Sequence, residues 1–106
     1  MAIDIETIKQ SARRYAADVS RELPVEKALL FGSYAKGCAT ETSDVDVCFF
    51  LKNYNGKQRF EIIAELLGMG GVCRTVPFEP IVFETAEIQN GNPFVREILA
   101  TGIDLL

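Results

Sequence analysis

GSYAKGCATETSDVDV, residues 32–47, joins a Gly-Ser pair to two aspartates one residue apart, and the aspartates stand at the head of an apolar run that ends at Leu51. A carboxylate at the mouth of a buried strand is costly unless a partner neutralises it. Side chains alternate across a strand, so Asp44 and Asp46 point to one face with backbones roughly 7 Å apart. Two carboxylates on one strand face ask for a cation.

Upstream of this stretch, Ile5, Ile8, Ala12, Tyr15, Ala16 and Val19 recur at helical spacing, which predicts a helix from about Ile5 to Arg21 with Asp4 as its cap. Leu23-Pro24 stops it. Val25 to Phe31 reads as a strand running into Gly32-Ser33, where a short helix begins and ends near Gly37. Downstream, Asp44 to Leu51 reads as a second strand, and KNYNGK as a turn. Phe60, Ile62, Ile63, Leu66 and Leu67 mark another helix, closed by GMGG. Val76 to Phe83 reads as a third strand, in which Pro80 implies an edge or a bulge. Phe94, Val95, Ile98 and Leu99 predict a last helix after Asn92-Pro93, and IDLL a short final strand. The expected fold is α/β (α+β), a small mixed sheet with helices packed on it, in a single domain over residues 1–106.

Composition narrows the partners. Fifteen acids against eleven bases leave a net charge of −4, which disfavours direct binding of nucleic acid. No basic block suggests a membrane surface, and no basic region followed by an apolar run at the N-terminus suggests a signal peptide. Cys38, Cys48 and Cys73 lie far apart without a C-x-x-C, as expected of reduced thiols in the cytoplasm. The absence of histidine removes Ser-His-Asp triads, Cys-His dyads and the usual zinc constellations together.

What remains is oxygen chemistry. Carboxylates on one face suit Mg²⁺, which needs only one or two protein carboxylates when phosphates supply other ligands. Gly32-Ser33 at a strand-to-helix turn supplies the complement: free N–H groups for an anion, room for phosphate to approach, and a hydroxyl donor. Competing motifs fail on spacing. The P-loop lacks its Lys-Ser/Thr, since Cys38-Ala39 stand there, and an EF-hand would need an oxygen ligand where Cys48 stands. GMGGVC is too short a fragment of a dinucleotide fingerprint.

FGSYAKG followed by SDVDV, with ten residues between Ser33 and Asp44, resembles the Gly-Ser and Asp-x-Asp signature of the polymerase-beta-type nucleotidyltransferase superfamily. The short chain resembles its minimal nucleotidyltransferase (MNT) branch, so a polymerase-beta-like fold is implied. By position, the resemblance makes Gly32 and Ser33 the triphosphate-binding turn, and Asp44 and Asp46 metal ligands. It implies a third carboxylate on a later strand, as ligand or general base; Glu79 is the best match, followed by Glu84. Lys36 stands where the family more often has Arg, keeping the charge for the nucleotide but losing the planar fork.

The implied activity is Mg²⁺-dependent transfer of AMP from ATP to a hydroxyl. Relatives that modify small acceptors carry an extra domain to hold them, and no residues are left over for one here, so the acceptor is expected to dock from outside. Minimal members resemble antitoxins of HEPN-type toxins, in which AMP is placed on a toxin tyrosine. The alternative is a non-catalytic binding module that neutralises its partner by contact. Either way a homo-oligomer is compatible with the sequence.

Overall fold

The computed structural model describes residues 4–69 and 76–106 of the chain. Helix α1 (Ile5–Glu22) is followed by β1 (Val25–Phe31), the one-turn helix α2 (Gly32–Lys36) and β2 (Val45–Leu51). Then come α3 (Arg59–Gly68), β3 (Phe78–Glu84), a 3₁₀ helix (Thr85–Asn90), α4 (Pro93–Thr101) and β4 (Ile103–Asp104). The strands form one four-stranded sheet in the order β3-β2-β1-β4. β1 runs antiparallel to both its neighbours, whereas β2 and β3 are parallel, so the sheet is mixed as expected.

β2 lies inside the sheet and is covered on both sides. Val45, Val47, Phe49 and Leu51 join the cluster built on α1 and α3, with Ile8, Ala12, Tyr15, Ala16, Val19, Ile62 and Leu66. The alternate residues Cys48 and Phe50 join a smaller cluster with Leu29, Phe83, Val95 and Ile98 on the α4 side. Such a strand reads as a continuous apolar run because neither face meets water. Asp46 shares the face of Cys48 and Phe50 and interrupts the run at its open end.

Several local expectations are corrected. Asp4 occupies the N-cap position of α1, but its side chain makes no capping hydrogen bond. β3 starts at Phe78 rather than Val76, and its edge position, not a bulge, accommodates Pro80: the pairing with β2 is continuous from Val45↔Phe78 to Leu51↔Glu84. Of the apolar residues that mark α3, Phe60 and Leu67 are 70% and 63% exposed, while Ile62 and Leu66 carry the burial. The 3₁₀ helix is unanticipated, being too short to show a period. Gly70 and Gly71 of the expected helix stop, and Cys73, lie outside the described residues. Among the described residues no helix is long and apolar enough to cross a membrane.

Tyr15 fastens the helical layer to the sheet. Its ring stacks on Phe78 at 4.7 Å and meets Phe49 edge-on at 5.5 Å, while its hydroxyl donates to the Leu66 carbonyl at 2.6 Å. Burial pushes the phenol well above its ordinary pKa, so it stays a neutral donor. Tyr15→Phe should therefore cost about 1 kcal/mol, a single buried hydrogen bond whose acceptor keeps the Met69 amide. Tyr15→Ala should cost about 3–5 kcal/mol, as other large-to-small aromatic changes in cores do. Urea denaturation of both variants checks the ratio.

Candidate active site

The ladder brings three segments to one end of the sheet. Phe31, the last residue of β1, pairs with Asp46 on β2, and Asp46 pairs with Glu79 on β3. Because β2 and β3 are parallel and in register, the two carboxylates stand on neighbouring strands about 4.8 Å apart at the backbone and on the same face. Asp44 sits two residues earlier, exposed and one position before the strand begins. The site therefore lies at the amino ends of the two parallel strands.

Gly32 shapes it from the other side. It has φ +74°, and a Cβ built there would fall on the Asp46 carboxylate, far inside any real contact. Glycine is needed twice, once for the left-handed backbone and once for the room. The chain then turns through α2 and leaves at Gly37, whose φ of +76° is the expected C-terminal glycine. Ser33 is not the N-cap; Phe31 holds that position with extended backbone. Since α2 has only five residues, any anion there would be held by amides and the Ser33 hydroxyl rather than by a helix dipole.

The electrostatics are one-sided. Asp46 titrates above the ordinary carboxylate range, first because it is partly desolvated, then because of the charges of Glu79 and Asp44. Among the described residues no ion pair engages Asp44, Asp46 or Glu79. No closed set of three ion-holding side chains is formed among them either. Asp46 and Glu79, paired across the ladder, are nevertheless hard oxygen donors of the kind a hard divalent cation takes when phosphate oxygens supply further ligands.

The other expected residues fall into place unequally. Lys36 flanks the turn and pairs with Glu97 of α4 at 3.0 Å, an exposed contact of small worth. Glu84 is not near the aspartates: it ends β3 opposite Leu51, roughly 17 Å along the strand from Glu79. It caps the 3₁₀ helix in a reciprocal box with Glu87. Cys48 is fully buried and its thiol is pushed up to about 12, which makes it a core residue rather than a site residue. Unforeseen are the walls. A cleft of about 310 Å³ holding Asp46 and Glu79 is lined by Phe31, Ile63, Ile81 and Phe94, from four different elements. No sequence signal joins those four residues; only tertiary packing does.

A mixed sheet with a Gly-Ser turn against strand carboxylates is the architecture of nucleotidyl-transfer domains. The chain belongs to the nucleotidyltransferase domain family, which it matches over residues 12–100. In structure it is similar to a protein of Sulfolobus solfataricus assigned as a nucleotidyltransferase, with a TM-score of 0.63 and 20% identity over 94% of this chain and 80% of that one. It is also similar to a toxin–antitoxin structure solved with AMP-PNP, with a TM-score of 0.54 and 17% identity over 89% of this chain and 72% of the other. At these identities the likeness is one of fold, and the fold is the polymerase-beta-like nucleotidyltransferase fold. No curated protein matches the sequence.

The raised pKa of Asp46 has a consequence for stability. The folded chain binds a proton there more tightly than the unfolded chain, so charging Asp46 opposes folding. The penalty grows as pH rises from the ordinary value of 3.8 through the raised one and is fully present above it. In EDTA, Asp46→Asn should melt higher than the parent at pH 7, and the difference should vanish below about pH 3. Melting temperatures across that range test this; a lower melting temperature at pH 7 would contradict it.

Proposed function

We propose that the chain transfers AMP from ATP to a hydroxyl, a tyrosine in the first instance, on a partner protein, and that the partner is a HEPN-type toxin which it restrains as an antitoxin in the cytoplasm. The observation that carries this reading is the register Asp46↔Glu79 beside Gly32, with Asp44 one position before the start of β2. Asp44, Asp46 and Glu79 would hold Mg²⁺, which when bound offsets polyphosphate charge. The Gly32-Ser33 amides and the Ser33 hydroxyl donate to phosphate oxygens, and Lys36 exchanges Glu97 for phosphate. The acceptor oxygen attacks the α-phosphorus, Glu79 takes its proton, and the bond from the α-phosphorus to the bridging oxygen breaks as pyrophosphate leaves. These groups work by position, since an acceptor must stand about 3–3.5 Å from phosphorus before stabilisation helps.

Two observations support a protein acceptor. Phe60 and Leu67 leave an apolar face on α3, and Ile63, on the same helix, lines the cleft with Asp46 and Glu79. Exposed apolar residues beside a polar cleft suit a protein surface better than a small polar acceptor. The fold is also shared with a toxin–antitoxin structure holding an ATP analogue. The same α3 face would serve a module that neutralises its partner by contact alone, so the two readings are separated by chemistry and not by binding.

Incubation with the partner, ATP and Mg²⁺ should add the mass of AMP to one hydroxyl residue, and Asp46→Asn should abolish it. Glu79→Gln should keep most ATP affinity and slow transfer by about 10²–10⁴-fold, the usual contribution of a positioned base. A complex that forms equally well with Asp46→Asn and never gains mass would decide for the contact reading.

A further inference from the structure

Phe94 is the second residue of α4, and the residue is 40% exposed although it sits amid other aromatics. It meets Phe31 at 5.9 Å and 77°, and Phe83 at 6.2 Å and 69°, both edge-to-face. Contacts of this kind set a ring's orientation without a parallel partner stacked on it. The backbone below it is equally constrained. Pro93 precedes it in the first turn, and the Asn92 side chain accepts a hydrogen bond from the Phe94 amide at 2.9 Å. The ring is thus held by a capped helix end and two neighbours, yet remains open to solvent.

Its position gives that exposure a use. Phe94 lines the cleft of about 310 Å³ that contains Asp46 and Glu79. It also lines a smaller pocket of about 120 Å³ that contains Gly32 and Lys36. The ring therefore stands at the boundary between the carboxylates and the Gly-Ser turn, the two halves of a triphosphate site. We propose that Phe94 is the stacking platform for the nucleobase of the bound nucleotide, a planar apolar contact that tolerates any base and favours the larger purine face. This rests on the nucleotidyl-transfer reading above and adds to it the place of the base. Phe31 meets Phe94 through its ring and pairs with Asp46 through its backbone, so one residue adjoins both ends of the site.

The chain has no tryptophan, so Phe94→Trp introduces a single fluorescent reporter. With magnesium held constant, ATP should quench or shift its emission, and inorganic tripolyphosphate should not. By calorimetry, Phe94→Ala should weaken ATP binding by about 5- to 150-fold, the range of base–aromatic stacking, and leave tripolyphosphate affinity unchanged. Phe94→Tyr should bind ATP like the parent, whereas Phe94→Leu, which keeps bulk without a π-face, should lose affinity. The proposal is overturned if Phe94→Ala or Phe94→Leu binds ATP as tightly as the parent, or if ATP and tripolyphosphate weaken alike. If the parent chain binds neither ATP nor tripolyphosphate, the nucleotidyl-transfer reading itself fails, and the platform with it.

Discussion

The close passage of the Gly32 backbone against the Asp46 carboxylate is the contact on which the site depends. β1 must end beside β2 for its ladder to close at Phe31↔Asp46, and the chain must then turn away at once. A side chain at position 32 would collide with the carboxylate, and an L-residue would resist the positive φ. Glycine meets both demands, and the result is a backbone turn laid against a strand carboxylate. Any group bridging the two, such as a phosphate with its cation, finds both partners already in place. That arrangement lowers the cost of ordering the site on binding.

Stability and chemistry pull against each other at Asp46. β2 is covered on both faces, which makes it the most deeply buried strand of the sheet and the worst place for a lone carboxylate. The conflict is contained because Asp46 sits at the strand's open end, where the cleft admits water. Its proton affinity is still raised by desolvation and by the neighbouring acids. On the reading proposed above, a cation bound there would compete with the proton, and its affinity would rise with pH as Asp46 ionises. Its binding would also release the repulsion raised at Asp46 by Glu79 and Asp44, coupling occupancy of the site to stability.

Most of this was legible where the signal is local. β1 runs from Val25 to Phe31 as its apolar run and flanking proline and glycine imply, and α2 ends at Gly37 because a left-handed position selects glycine. Alternation put Asp44 and Asp46 on one face, but β2 starts at Val45, so only Asp46 is placed by the pleat and Asp44 stands exposed just before the strand. Glu79 could be preferred to Glu84 only by resemblance, and it is the ladder that separates them: an odd number of residues apart, they face opposite sides at opposite ends of β3. What the sequence hid was set by tertiary packing. Phe60 and Leu67 fit the helical period as well as Ile62 and Leu66, and only the direction of the sheet tells the two pairs apart. The meeting of Phe31 with Phe94, sixty-three positions later, has no local trace.

Pro80 illustrates how a residue that breaks one rule can serve another. In an interior strand its missing N–H would leave an unpaired acceptor on a neighbour, but β3 is the sheet edge. There the same defect removes a donor from a row that could otherwise recruit a foreign strand. Its ring also excludes the helical region for the residue before it, which is Glu79. The carboxylate that must stand opposite Asp46 is thus confined to extended backbone by its own successor, and the ladder runs through both residues without a register shift. On the proposed reading, fixing that backbone in advance would reduce the entropy lost when Glu79 serves as the third carboxylate. A proline that looks at first like an obstacle to the strand is a means of aiming Glu79.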